Sequence, residues 1–183
     1  MQRYMLYLRN CQSQLYNKLI TVSSFLGMVL MFLTLSSCQK TELNNMDQEQ
    51  AAGIKDSVQH MAAIIELDVS QEGPKAWLRH FSHSPEFFMA SEGKLVFPNN
   101  DSATAFVNRF ATQVRSIQLS WSDLNVEPLT ISLAVMRASF HEIITDTSGH
   151  QMHAEGYFTG LAEHNALGWQ LRNLHWSTAS QGH

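Results

Sequence analysis

The sequence predicts an α+β domain over residues 49–178, with three helices first and a long antiparallel meander after them. Three observations carry this. Large apolar residues recur at three- and four-residue steps as far as about residue 117. Beyond that point the period falls to two, as in half-buried strands. Two segments with turn chemistry, Asp146-Thr147-Ser148-Gly149 and Asn165-Ala166-Leu167-Gly168, then divide the second half into long strands.

The chain preceding that domain has its own pattern. Residues 1–37 contain Arg3, Arg9 and Lys18 and no acidic residue. Of 12 basic and 16 acidic residues in the whole chain, nine and 16 therefore fall after residue 37. An acidic remainder argues against a phosphate-binding surface, so no nucleic-acid partner is expected. The basic start runs into an apolar stretch from Leu19 to Leu33, then Leu35-Ser36-Ser37-Cys38. A positive segment, an apolar segment and a small-residue exit are what secretion requires. The four residues ending at Cys38 resemble the lipobox cut by bacterial lipoprotein signal peptidase. That resemblance implies a signal peptide over 1–37 and a lipid on Cys38 holding the protein to a bacterial cell-envelope membrane. Gln39 after the cysteine suggests the outer membrane. The alternative is an uncleaved anchor helix, for which the apolar stretch is at the lower length limit. Residues 38–48 are polar and read as a tether, and 179–183 as a disordered tail. Cys11 and Cys38 are the two cysteines, so cleavage leaves no pair for a disulfide.

Within the domain, Ile54, Val58, Met61, Ile64 and Ile65 form one stripe and predict a helix over about 49–67. Gly73-Pro74 punctuates the chain, and Pro74 suits the first turn of a short helix over Lys75–His80. Glu86–Ala90 and Leu95-Val96-Phe97 read as short strands about the turn Glu92-Gly93-Lys94. Asn100-Asp101-Ser102 offers capping oxygens to a third helix, along which Phe106, Phe110, Val114 and Ile117 repeat. Alternation at Ile117, Leu119 and Trp121, then a β-rich run over Leu129–Thr145, Gln151–Glu163 and Trp169–Trp176, supply the strands.

This order, with the tail Gly168-Trp169-Gln170-Leu171-Arg172-Asn173-Leu174-His175-Trp176-Ser177, resembles the nuclear-transport-factor-2-like superfamily, in its SnoaL-like or DUF4440-like branch. Gly168, Trp169, Leu171, His175 and Ser177 fall on the branch's final-strand pattern. Glu155–Thr159 resembles its Gly-x-x-Thr strand, with Tyr157 where arginine is common. The resemblance implies a cone, in which a curved antiparallel sheet wraps the three helices around an apolar pocket, and homodimers formed through the sheet. It implies no single activity, because this fold serves isomerases, cyclases, dehydratases and plain binding modules.

Candidate chemistry follows from strand alternation. Trp169, Leu171, Asn173, His175 and Ser177 share one face by period two, which makes Asn173 and His175 candidates for ligand contact or proton transfer. His153, Glu155, Tyr157 and Thr159 share a face of the preceding strand. Glu155 and Tyr157 are catalytic candidates if that face points inward, and solvated or dimer-facing if it points out. The opposite face, Met152, Ala154, Gly156, Phe158 and Gly160, looks shaped for packing against something close. Trp77, Phe88, Trp121 and Phe140 are candidate pocket walls, with Tyr157, Asn173 and His175. Arg137 and His141 alternate together on a strand; an exposed face is expected for both, with anion binding as the alternative. His80-x-x-His83 and His150-x-x-His153 have ligand-like spacing, but no cysteine follows Cys38 to complete a structural zinc site, so no metal and no cofactor is expected. Two functions stay open: a lipid-anchored module binding a small apolar ligand or a partner protein, and an acid–base enzyme of the isomerase, cyclase or dehydratase kind.

Overall fold

The computed structural model describes residues 46–179. The leader, Cys38 and most of the tether lie outside the described residues, as does the tail beyond Ala179. No helix among the described residues is long and apolar enough to cross a membrane.

The first helix, α1 (Gln48–Glu72), opens on a capping box in which Asp47 and Gln50 bond each other's backbone N–H. It runs five residues past the predicted end, until Gly73 takes φ of 79°. A 3₁₀ turn (Pro74–Ala76) then leads into the one-turn helix α2 (Trp77–His80), where Pro74 was expected to start a helix. Strands β1 (Phe88–Ser91) and β2 (Lys94–Phe97) form the short hairpin. Helix α3 (Asn100–Phe110) is capped by Asn99 and Ser102. It is shorter than its apolar spacing suggested. Val114 and Ile117, which continue its period, lie instead on β3 (Val114–Thr130) as buried inward residues. There β4 (Leu133–Asp146), β5 (Gln151–Asn165) and β6 (Gly168–Thr178) complete the chain. The tight turn at Ile131-Ser132 interrupts the run Leu129–Thr145, which lacks any glycine, proline, asparagine or aspartate to announce it.

The six strands form one curved, unclosed sheet in the order β2-β1-β6-β5-β4-β3. All pairings are antiparallel except β1 with β6, which is parallel, so the sheet is mixed where an antiparallel one was expected. The hairpin arrives from the helical layer, and this connection lays β1 beside β6 in the same direction.

Helix α1 lies in the concave side and buries Val58, Met61, Ala62, Ile65 and Val69 against the sheet. It also covers an exposed sheet edge. The N–H groups of Leu119 and Trp121 on edge strand β3 donate to Ser70 Oγ (3.0 Å) and Glu66 Oε2 (3.1 Å), and the Trp121 ring N–H donates to the Ala62 carbonyl (3.2 Å). Backbone donors left bare by the last strand are thereby satisfied by helix side chains.

Two irregularities set side-chain directions. In β3, pairing steps from Ser122 to Asn125 against Ser139 and Arg137, and Asp123 sits in the bulge at φ 53°. In β6, Asn173 pairs with Leu161 while Leu171 pairs with Ala162, leaving Arg172 as an extra residue. Inward-pointing residues on β6 are therefore Leu171, then Leu174, Trp176 and Thr178.

Candidate functional site

On the concave face the strands present alternate residues: Ala134, Met136, Ala138, Phe140 and Glu142 from β4, and Ala154, Gly156, Phe158, Gly160 and Ala162 from β5. Phe158, Met136, Leu171 and Leu174 are buried with the α1 stripe and fill one end. At the other end a cavity of about 310 Å³ stays open. Its floor and sides come from Pro74, Trp77 and Phe81, from Met89, Ser91, Val96 and Phe97 of the hairpin, and from Phe106, Val107 and Phe110 of α3. The sheet contributes Ile117, Phe140, Glu142, Ala154, Trp176 and Thr178. Its size is at the lower end of the usual range for small-ligand pockets. Exposed Val96 and Phe106 mark its mouth.

The walls are mostly aromatic and hold one another in place. Trp176 meets Phe140 edge-on at 4.7 Å, Phe158 at 4.9 Å and Trp77 at 5.8 Å between ring centroids. Phe106 lies between Phe97 (5.1 Å) and Phe110 (5.6 Å). Such contacts favour a fixed wall over a collapsed one.

Against this apolar lining stands, among the described residues, one charged side chain, Glu142. Its strand neighbours across the sheet are Leu119 and Ala154, neither of which can bond or neutralise a carboxylate. No side-chain hydrogen bond or ion pair holds it among the described residues. Burial alone pushes its carboxyl up to about 7, from an ordinary 4.5. Near neutral pH it therefore divides between a carboxylic acid that donates a hydrogen bond and a carboxylate. Of the other polar lining residues, Ser91 and Thr178, the second is already engaged: its backbone N–H and its hydroxyl both donate to Glu92 Oε1, at 2.6 and 2.9 Å.

The residues singled out in the sequence divide between this cavity and the rest of the sheet. Trp77 and Phe140 line the cavity. Trp121 is one layer behind, packed on Trp176 at 5.6 Å and on Phe158 at 5.3 Å. Phe88 is half exposed and pairs with Asn173, while its neighbour Met89 faces the cavity. Because of the extra residue at Arg172, Asn173 and His175 lie on the convex face, away from the cavity. The Asn173 amide donates to the Glu86 carbonyl (2.7 Å), and His175 is exposed opposite Thr159. Glu155 and Tyr157 lie on the same outer face. Glu155 is exposed opposite His141, and the Tyr157 hydroxyl accepts from Arg137 Nη1 (3.3 Å). Gly156 and Gly160 face inward, and a β-carbon on Gly156 would stand 2.0 Å from the Ser177 carbonyl oxygen.

Glu142 was not singled out, yet the sequence carries a signal for it. Ala134, Met136, Ala138, Phe140, Glu142 and Ile144 are spaced by two, and only one of them is charged.

The spaced histidine pairs do not converge. His80 is buried against Asp68 (2.9 Å), with burial lowering its basicity, while His83 is exposed. His150 bonds Ser148 in the β4–β5 turn, and His153 is exposed on β5. Among the described residues, no three histidine, cysteine, aspartate or glutamate side chains gather as metal ligands.

No protein-family model and no curated protein sequence matches the chain. Solved structures do. A nuclear transport factor 2 (NTF2-like) superfamily protein from Salmonella enterica serovar Typhimurium LT2 superposes with a TM-score of 0.60 at 15% identity, over 72% of this chain and 95% of its own. A protein of Novosphingobium aromaticivorans DSM 12444 named after scytalone dehydratase gives 0.59 at 11%, over 70% and 87%. A hexachlorocyclohexane dehydrochlorinase (LinA) type 2 gives 0.57 at 9%, over 75% and 96%. At identities this low the superpositions show the fold alone, and they show it consistently: the chain has the NTF2-like fold.

Proposed function

We propose that the domain is a binding module for a small, largely apolar molecule, with Glu142 as the one polar anchor of its pocket. The observation that carries this is the composition of the cavity: aromatic and aliphatic walls, a single carboxyl and, among the described residues, no second acid–base side chain. Apolar lining supplies affinity in proportion to the area removed from water, and one polar group fixes orientation. Mass spectrometry of molecules extracted with the purified full chain tests the reading. A recurring apolar compound, lost from Trp176→Ala, is the expected result; an empty pocket that also takes up no apolar fluorescent probe would overturn it.

One observation favours a second reading, an acid–base enzyme. A carboxyl at about 7 is poised to take or give a proton near neutral pH. Two of the structural neighbours are named after a dehydratase and a dehydrochlorinase. In such an enzyme Glu142 is the proton-transfer group and Trp77, Phe140 and Trp176 position an apolar substrate. Deuterium exchange from solvent into a bound carbon acid, abolished in Glu142→Gln, is its signature.

The lipid on Cys38 completes the proposal and places the module at a bacterial cell envelope, on the outer membrane by the identity of Gln39. Helix α1 begins at the end of the domain where the β3–β4 and β5–β6 turns lie, with Gln50 and Ile54 near Ile131 and Trp169. The cavity is at the other end of the strands, where β3 and β5 begin and β4 and β6 end. An acylated Cys38 at the mature N-terminus, seen by mass spectrometry, is the expected finding; Cys38 still joined to Ser37 would refute it. Pairing of two copies through the convex face of β4–β6 belongs to the same reading, with sedimentation of the full chain as its test.

A further inference from the structure

We infer that the pocket selects a ligand with one positive charge on an apolar body, an amine or quaternary ammonium group, held between Glu142 and the aromatic walls. The inference rests on the pocket being a ligand site and names the class of molecule it takes.

Three features of the cavity point the same way. First, among the described residues its only charged side chain is an acid, and no lysine, arginine or histidine lines it. Second, the elements packed around Glu142 offer nothing to neutralise it. Leu119 and Ala154 flank it on the neighbouring strands, Phe106 and Phe110 face the cavity from α3, and Ser91 and Thr178 are its uncharged polar members. Third, the walls present ring faces and edges at close quarters, with Trp176 in contact with both Trp77 and Phe140. The face of an aromatic ring carries negative charge density and attracts cations, most strongly for tryptophan and most where water is excluded.

These features rank ligands by charge. An anion is repelled by the carboxylate and by the ring faces. A neutral acceptor such as a carbonyl finds the protonated acid and the Ser91 hydroxyl to bond, and gains nothing from the carboxylate. A cation supplies the charge the carboxyl lacks and engages the rings at the same time, so it stabilises the ionised form that burial disfavours. An acid left unpaired in an apolar cavity is costly without a partner. A cationic ligand is that partner.

A matched probe pair tests this. Benzyltrimethylammonium and neopentylbenzene have nearly the same shape and differ in charge. Both are titrated into the full chain at pH 7.5 by tryptophan fluorescence, with partition into the detergent measured in protein-free micelles. In the wild type the cation is expected to bind at least about tenfold more tightly, the scale of one well-desolvated cation–ring contact plus an ion pair. Glu142→Gln is expected to weaken the cation about tenfold and to leave the neutral probe within about twofold. Phe140→Leu, which keeps an apolar wall but removes a ring, is expected to weaken the cation more than its isostere. Equal or tighter binding of neopentylbenzene to the wild type overturns the inference and leaves the pocket reading standing. A cation preference that survives Glu142→Gln also overturns it. Failure of both probes to bind overturns the pocket reading and this inference together.

Discussion

Replacing Glu142 by glutamine gives a stability change whose sign depends on pH. The folded-state value of about 7 exceeds the ordinary 4.5, so between these limits the native chain holds more protons than the unfolded chain. Stability contributed by this residue therefore falls as pH rises from about 4.5 and levels off above about 7. A rise from 4.5 to about 7 corresponds to about 3 kcal/mol at the alkaline plateau. Glu142 keeps some access to solvent at the cavity, which reduces the cost, so about 1–3 kcal/mol is expected. Glutamine has nearly the same shape and is neutral throughout. Glu142→Gln should match the wild type near pH 4 and exceed it by that amount at pH 8. Urea unfolding of both chains at several pH values measures the difference, and histidine titrations common to the two chains cancel. A gap that stays constant from pH 5 to 8 would show that Glu142 titrates as an exposed carboxylate, and the account of the site as a desolvated acid would fail.

Other consequences follow from single contacts. Gly156→Ala drives a methyl group into the Ser177 carbonyl at 2.0 Å, so a loss of about 2 kcal/mol or more is expected as a lower urea midpoint with an unchanged slope; a neutral result would mean that β5 and β6 are further apart. Alanine at His175 or Glu155, or phenylalanine at Tyr157, should leave probe binding within about twofold, because all three face away from the cavity. Loss of binding in any of them would relocate the site to the convex face. His80, kept neutral mainly by burial despite Asp68, makes the native chain bind fewer protons than the unfolded one below the ordinary histidine value of 6.5. Stability should fall as pH drops from there, and His80→Gln should flatten that slope in acid unfolding curves; an unaltered slope would assign it to other groups.

Much of the architecture was legible because it follows from local chemistry. The α1 stripe, Ile64 apart, and the glycine of the β4–β5 turn act within a few positions and stand where their patterns indicated, and of the capping run Asn100-Asp101-Ser102 only Ser102 takes part in the box, the N-cap itself being Asn99 one residue earlier. Local rules failed where two patterns overlapped or no special residue marked an event. Val114 and Ile117 are three apart, a helical spacing that a regular strand does not match; a register shift between Val114 and Ser116 lets β3 bury both. The Ile131-Ser132 turn carries only weak local marks, a serine and a Thr130 hydroxyl that accepts the Ser132 N–H, and the pairing of the flanking strands places it. The parallel partnership of β1 with β6 joins residues about 85 positions apart and has no local trace at all.

The site was harder to read for a geometric reason. Period two assigns Leu171, Asn173 and His175 to one face, and Leu171 does point inward, fully buried. One inserted residue then exchanges the two faces for the rest of the strand. Arg172 is that residue, and its place is fixed by the pairing of Leu161 and Ala162 on β5 rather than by its own chemistry. Beyond it Trp176 and Thr178 reach the cavity, while Asn173 and His175, whose side chains look more reactive, do not. Strand β4 has no such interruption opposite β5, from Leu133 to Thr145. Parity along it is therefore reliable: Ala134 and Phe140 point inward, and so must Glu142. A charge on the apolar face of an unbroken strand is stronger evidence of a site than a histidine beyond a bulge, since only the former had to leave water to be there.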